Sequence, residues 1–146
     1  MKIDSFTDDF SFLSNFYESP FIHDGIVYAT NEHFYQAMKT NSHSERKRIA
    51  SLKSPGAAKR AGKSLDLRKD WESVKIHVMR EGLRLKFAEG SIFAEMLIAT
   101  EPAILIEGNT WHDQFWGVDN KTGQGKNWLG ILLMERRAEL KRINIE

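Results

Sequence analysis

The dipeptide Asp24-Gly25 is the tightest local constraint in this chain. It stands between Phe21-Ile22 and Ile26-Val27-Tyr28, and a two-residue Asp-Gly connection between apolar, β-branched and aromatic residues specifies a type I′ hairpin. Thr30 and Asn31 follow the second strand at once. Either suits a helix N-cap, so the hairpin is predicted to feed directly into a helix.

Other boundaries are read in the same way. Ser54-Pro55 is a cap followed by proline at the first helical position, opening a short helix that ends at Gly62. Asp70 is placed as the cap of a longer helix to about Phe87, with Trp71, Val74, Val78, Met79 and Leu83 turned inward. Ser91 caps another through Leu97, and 103–106 reads as a short strand closed by Glu107-Gly108-Asn109. "TWHDQFWGVDNKTGQGKN" reads as a loop rich in aromatics and glycine. The last helix is predicted from near Asn127 to about Arg142, burying Leu129, Leu132, Leu133 and Leu140. Helices dominate a few short strands, so the expected fold is α+β, a mainly helical single domain over residues 1–146.

Composition narrows the function classes. Hydrophobic residues make up 41% and charged residues 28%, which are globular proportions. A formal net charge of +1 supplies no overall field for nucleic acid or a membrane, so any anion preference is local. There is no cysteine, which removes disulfides, thiolate metal sites and cysteine nucleophiles together. The chain shows no basic-then-apolar leader and no apolar run long enough for a bilayer, so a cytoplasmic, non-membrane protein is expected. His23, His33, His43, His77 and His112 form no HExxH or close pair, and no GxSxG is present. Metal and serine-hydrolase chemistry are set aside.

The helix that begins near Asn31 is two-faced. Phe34, Ala37 and Met38 fall on one side; Glu32, Tyr35, Gln36 and Lys39 stack on the other over two turns. Either the second face is solvated or it carries chemistry. Glu32 sits in the first turn, where the exposed N–H groups favour a carboxylate. Lys39 is open to two roles: a charged partner of Glu32, or a nucleophile if burial lowers its pKa.

Two further stretches are ambiguous on their residues alone. Gly123 and Gly125 precede a helix capped by Asn127, with Lys126 beside them. That is either a glycine turn and a cap, or a phosphate cradle of backbone amides. Trp111, Asp113 and Trp116 lie in "WHDQFWG": Trp116 is read as a core plug, Trp111 as plug or stacking wall, and Asp113 as structural or as a second carboxylate. A basic segment holds Arg46, Lys47, Arg48, Lys53, Lys59, Arg60, Lys63, Arg68 and Lys69 against Glu45 and Asp66. Lys59 and Lys63 are one turn apart and can share a phosphate.

"FLSNFYESPF", "YATNEHFYQAMK", "AAKRAGK", "VMREGLRLKF" and "FWGVDNKTGQGKNWLGILLMERR" occur in an order and spacing that resemble the NADAR (YbiA-like) family, from Phe12 to Arg137. The resemblance implies an α+β fold of that kind and N-glycosidase chemistry on phosphorylated ribosyl compounds. Two substrate groups are implied: ribosylamino-pyrimidine phosphates of riboflavin biosynthesis, and ADP-ribose linked to guanine in nucleic acid. Lys63 stands where many members have arginine, and Glu72 where aspartate is common.

On that basis Glu32, Lys39 and Asp113 are the expected catalytic residues. Glu32 is a base or charge stabiliser, Lys39 an imine-forming nucleophile or phosphate ligand, and Asp113 a ribose or proton handler. Phe16, Tyr17, Trp111 and Trp116 are expected to stack on the base, and Ser14, Asn15 and Gln36 to position polar groups. Lys59, Lys63, Lys126 and the amides from Gly123 and Gly125 to Asn127 are expected to hold phosphate. No metal and no cofactor enters this scheme. The partner is the small-molecule phosphoribosyl or ADP-ribosyl substrate, or ADP-ribosylated nucleic acid. A module that binds ADP-ribose or a nucleotide without turnover is the alternative reading.

Overall fold

A computed structural model describes residues 1–145. The chain forms two compact units, Asn15–Lys86, and Met1–Ser14 together with the chain from Phe87 onward.

The first of these begins with a hairpin of β2 (Phe21–His23) and β3 (Ile26–Tyr28); the N-terminal strand β1 (Lys2–Ile3) belongs to the other unit. β2 and β3 pair antiparallel in the register Phe21 to Tyr28 and His23 to Ile26. Asp24 and Gly25 both have positive φ (51° and 77°), as a type I′ turn requires. The helices α1 (Asn31–Ala37), α2 (His43–Ala50), α3 (Pro55–Gly62) and α4 (Trp71–Lys86) follow. Thr30, Ser42 and Ser54 cap the first three, each accepting a hydrogen bond from a first-turn amide.

α1 packs against α2, α3 and α4 and is buried along its whole length. Phe34 is the hub of its apolar side. Phe21, His23 and Tyr28 set their rings edge-on to it at centroid distances of 5.4, 5.1 and 5.4 Å. On the other side Tyr35 packs against Trp71 at 5.2 Å. The reading of that side as a solvated face is therefore corrected: it is enclosed by neighbouring helices.

The other unit contains a 3-10 turn at Asp8–Leu13, α5 (Ile92–Ile98), β4 (Ile104–Leu105), β5 (Gly108–Asn109), β6 (Val118–Asp119) and α6 (Trp128–Ile145). β1 pairs parallel with β4, and β5 parallel with β6. α6 packs on α5 and β4, burying Leu129, Leu132, Leu133 and Leu140. Its buried cations have partners: Arg136 donates to the Phe87 carbonyl, and Arg137 donates to Thr100 Oγ1 and the Ala103 carbonyl and is ion-paired with Glu101.

The α+β, mainly helical reading holds, with local corrections. α2 lies in a stretch read only as basic. α1 stops at Ala37, so Lys39 sits in the turn beyond it and not on the helix wheel. Asp70 does not cap α4 with its side chain, because Arg68 takes the carboxylate at 2.6 and 3.1 Å. Val74 and Val78 are half-buried rather than core. The predicted strand 103–106 shrinks to two residues, and the expected closing segment and loop contain β5 and β6. No helix among the described residues is long and apolar enough to cross a membrane.

Lys86, at the end of α4, is 3% exposed, and burial lowers its pKa to about 7. An unfolded lysine keeps its proton to about pH 10.4. The unfolded chain thus binds the extra proton between those values, and the folded state gains stability as pH rises through that window. In Lys86→Met this gain is absent. We expect the wild-type melting temperature to climb relative to the variant by roughly 2–4 °C per pH unit above neutrality. Calorimetry of both proteins from pH 6 to about 9 checks it; parallel curves would refute the assignment.

Candidate functional site

Glu32 is positioned by a closed set of local bonds. Thr30 Oγ1 accepts from the His33 amide at 3.1 Å and contacts His33 Nδ1 at 2.8 Å, while His33 Nε2 donates to the Leu52 carbonyl at 2.9 Å. The cap and the ring thereby tie the start of α1 to the chain after α2. The Glu32 amide donates to the Asn15 carbonyl at 3.0 Å, and Asn31 Nδ2 donates to Asn15 Oδ1 at 2.9 Å. Asn15 is thus a clamp on the first turn of α1, with Phe16 and Tyr17 beside it as partly exposed rings.

The Glu32 side chain is 8% exposed, and Gln36, 4% exposed, donates to its Oε2 at 2.6 Å. Gln36 in turn needs Gly62: a Cβ there would overlap Gln36 Oε1. α3 ends at Gly62, as its sequence predicts, but without the left-handed backbone of a glycine stop: Gly62 is its last helical residue, and its absent side chain allows the close approach of Gln36.

Lys39 is half-buried, its Nζ 5.7 Å from the Tyr35 ring centroid. Burial is the largest influence and pulls its pKa down. Glu32 opposes this, while Lys59, Lys63 and Lys75 reinforce it. The two opposing forces recognised in the sequence are resolved in favour of burial. Glu32 is near enough to matter electrostatically yet makes no ion pair with Lys39. Lys59 on α3 and Lys63 at its C-cap are exposed. One unit therefore assembles Asn15, Phe16, Tyr17, Glu32, Gln36, Lys39, Lys59 and Lys63.

The remaining expected residues lie in the other unit, where a second network is centred on Glu107. Asn109 donates from Nδ2 to Glu107 Oε2 at 3.1 Å and to the Asp113 carbonyl at 2.9 Å; its Oδ1 accepts from the Asp113 amide at 2.9 Å. Asp113 Oδ1 accepts from the amides of Phe115 and Trp116, both at 2.9 Å. That use makes Asp113 Oδ1 the anchor of its own turn. Trp116 is half-buried, edge-on to Phe115 at 4.8 Å. Gly117 leaves room for Glu107, since a Cβ would overlap Oε2.

The glycine loop also differs from expectation. The amides of Gly123, Lys126 and Asn127 donate to the carbonyls of Asp119, Gln114 and Gly117 at 2.8, 2.8 and 3.3 Å. Trp128 and Leu129, at the start of α6, donate to the Phe115 and Trp116 carbonyls. The amides of Gly123, Lys126 and Asn127 are therefore already taken up by carbonyls and are not open to a phosphate. Gly123 supplies a positive-φ turn, and Gly125 lies against the Gly117 carbonyl. Asn127 has φ 55° and does not cap the helix with its side chain. Its Oδ1 accepts from the Glu107 amide at 2.9 Å and its Nδ2 donates to the Leu105 carbonyl at 3.0 Å. The Lys126 ammonium sits over the Phe115 ring at 5.8 Å.

Two features were missed in the sequence. Glu107 was read as strand closure; the available signal was an acidic residue at the end of a short apolar strand, where scaffolds present functional groups. His112 has φ 67° and donates from Nδ1 to Asp119 Oδ2 at 2.8 Å, which is the main reason the Asp119 pKa is lowered. Trp111 and Ser14 line a recess of about 250 Å³ together with Glu107.

Comparison with known proteins gives one consistent result. A family model described as NADAR domain matches residues 4–141. N-glycosidase YbiA of Escherichia coli (strain K12) is 45% identical over 138 residues, covering 93% of this chain and 85% of that protein. The chloroplastic riboflavin biosynthesis protein PYRR of Zea mays is 36% identical over 129 residues, covering 80% of this chain and 20% of that protein. Among solved structures, the NMR structure of the E. coli protein YbiA is similar with a TM-score of 0.86 and 40% identity, covering 100% of this chain and 90% of that one.

The contact between Gly62 and Gln36 gives a direct test of how Glu32 is held. Gly62→Ala should destabilise the protein by about 1–3 kcal/mol, the range for overpacking. Adding Gln36→Ala should recover part of that loss, because both changes act on one contact. Urea unfolding of the two single variants and the double variant measures the coupling; additive costs would show that the contact is not shared.

Proposed function

This chain belongs to the NADAR domain family and is a hydrolase of N-glycosyl bonds, and we propose that its substrate is a phosphorylated riboside cleaved at C1′. The observation that carries this reading is Lys39 with its pKa lowered by burial, beside the buried Glu32–Gln36 pair and within reach of the fields of three other lysines. The lysines supply positive charge for phosphate, and the carboxylate supplies negative charge for an oxocarbenium-like centre. A module that only binds would have use for the cations and the exposed rings, but none for the enclosed carboxylate and the lysine.

Within that class we favour a ribosylamino-pyrimidine phosphate, supported by the riboflavin biosynthesis protein among the relatives. The small net charge agrees with a free metabolite. ADP-ribose linked to guanine is the other substrate to assay.

In the proposed reaction neutral Lys39 Nζ attacks C1′. The C1′–N bond breaks, its electron pair leaves with the base, and the base nitrogen takes up a proton from water. Glu32 receives the proton that Nζ sheds and passes it to the ring oxygen as that oxygen leaves C1′, which gives a protonated imine to Nζ and returns Glu32 to the carboxylate. Water, deprotonated by Glu32, adds to the imine carbon and releases the ribose phosphate, returning Lys39. Lys59 and Lys63 hold the phosphate, and Phe16 or Tyr17 stacks on the base. Because a lysine acts here in its neutral form, its lowered pKa places the activating limb of the rate profile below that of an ordinary lysine.

Glu32→Gln should keep the fold and lower base release by about 100-fold or more. Chromatography of the freed base, with melting temperature as the folding control, measures it, and retained activity sinks the role of Glu32. Borohydride added during turnover should leave a ribosyl phosphate mass on Lys39. Turnover with no adduct would reassign Lys39 to charge or phosphate binding and leave direct attack by water as the mechanism.

A further inference from the structure

α1 has no cation in its own last turn, yet the carbonyls of the turn beyond it are all taken by segments from elsewhere in the same unit. The Lys39 carbonyl accepts from the Arg68 amide at 2.8 Å, and the Met38 carbonyl accepts from Arg68 Nη1 at 3.5 Å. The Thr40 carbonyl accepts from Arg46 Nε, on α2, at 2.8 Å. The amides of the same turn reach back to the helix, that of Lys39 to the Gln36 carbonyl at 3.2 Å and that of Thr40 to the Ala37 carbonyl at 3.3 Å. The backbone on which Lys39 stands is thus held from both sides. Guanidinium groups at a helix C-terminus also suit the negative end of its dipole.

Arg68 is itself fixed. Asp70 takes its Nε and Nη2 at 2.6 and 3.1 Å, a forked pairing that a lysine cannot reproduce. The Arg68 carbonyl accepts from the Trp71 amide at 3.1 Å, and Trp71 is the ring that packs on Tyr35. Tyr35 is in turn the ring near which Lys39 Nζ lies, at 5.7 Å. The segment that grips the Lys39 backbone therefore also carries part of the aromatic wall beside the Lys39 side chain. A turn that slipped would move Nζ off that wall and toward water.

We propose that Arg46 and Arg68 are positioning residues for Lys39, pinning the turn 38–40 so that the lysine side chain stays half-buried beside the Tyr35 ring. The placement stands on the bonds above; its catalytic consequence rests on the reading of Lys39 as the nucleophile. Burial is the largest influence lowering the pKa of Lys39, so a loosened turn acts on that influence directly. The other charges that bear on Lys39 stay in place: Glu32 on α1, Lys59 on α3, Lys63 at its C-cap and Lys75 on α4.

NMR of the full chain with isotope-labelled lysine, its Lys39 signal assigned by Lys39→Arg, follows the titration of that amine directly. In Arg46→Met, and in Arg68→Ala, which frees the segment from Asp70, the Lys39 midpoint should rise by about one pH unit toward the ordinary lysine value of about 10.4. Below both midpoints that leaves about tenfold less neutral amine, so kcat for base release should fall about tenfold at neutral pH, with KM within about twofold, and recover above the raised limb. Arg46→Lys, whose ammonium can still donate to the Thr40 carbonyl, should behave as the wild type. Lys47→Met removes a charge from α2 without touching the turn and should leave the midpoint in place. An unmoved midpoint in both Arg46→Met and Arg68→Ala, an equal rise in Lys47→Met, or no rescue in Arg46→Lys would each overturn the proposal. The wild-type protein supplies a test even if the variants do not fold. The Nε–H protons of Arg46 and Arg68 should exchange with water about tenfold or more slowly than that of exposed Arg60, and equal rates would overturn the proposal as well. Borohydride trapping separates this inference from the catalytic reading. A midpoint that depends on the two arginines, with no adduct on Lys39, removes the imine and leaves the placement standing; an adduct on Lys39 with unmoved midpoints does the reverse.

Discussion

A carboxylate removed from water must be compensated where it lies, and that requirement at Glu32 organises the unit around α1. The compensation is local and layered. Gln36 donates to the carboxylate one turn along the same helix. Gln36 can do so only because α3 presents a glycine at the point of contact. The backbone amide of Glu32 is satisfied by Asn15, whose side chain is also bonded to Asn31. Neighbouring helices enclose a polar face that a short amphipathic helix would ordinarily turn to solvent. A seven-residue helix has little stability of its own, so the burial that makes the face unusual also keeps the helix folded.

The other unit solves a different problem, how to give a long aromatic and glycine-rich segment one conformation. Backbone amides are matched one by one with carbonyls, and side-chain amides take the remaining positions. Asn109 and Asn127 each act as both donor and acceptor, bridging segments that regular strands of two residues could not fix. Asp113 closes its own turn by accepting two amides. The glycines permit the close approaches this matching demands, as Gly117 does beside Glu107. Three of the amides expected to hold phosphate, those of Gly123, Lys126 and Asn127, are taken up by this matching.

How much of this could be read from the sequence follows from the range of the forces involved. The hairpin and the caps at Thr30, Ser54 and Ser91 are set within a few residues by turn chirality and amide pairing, and they stand where expected. Asp70 shows the limit of that logic: a carboxylate two residues from Arg68 has a better partner than the helix amides. The two-sided character of α1 was legible, but its burial was not, because what covers Glu32 comes from segments far along the chain. The same holds for Gly62, whose partner is on another helix, and for Glu107. Its neighbours Asn109 and Asn127 are ordinary loop residues until the fold brings them together. Residues that bear charge were visible; those that hold them in place were not.

Lys39 shows why placement matters more than identity. Its pKa is lowered chiefly by burial, and the fields of Lys59, Lys63 and Lys75 add to that. On the proposed chemistry those lysines do two jobs that partly conflict. Before a phosphate is bound they favour the neutral, nucleophilic form of Lys39; once a phosphate neutralises them, that contribution shrinks. Burial does not shrink when substrate arrives, since a bound ligand displaces further water and strengthens the desolvation. The arrangement therefore keeps the larger influence on Lys39 independent of the phosphate. Glu32 acts against neutrality throughout, yet without an ion pair that would lock the proton on Lys39. On the proposed chemistry the carboxylate that opposes neutrality in Lys39 is also the group that takes up the proton Nζ sheds, so the two groups hold it in turn.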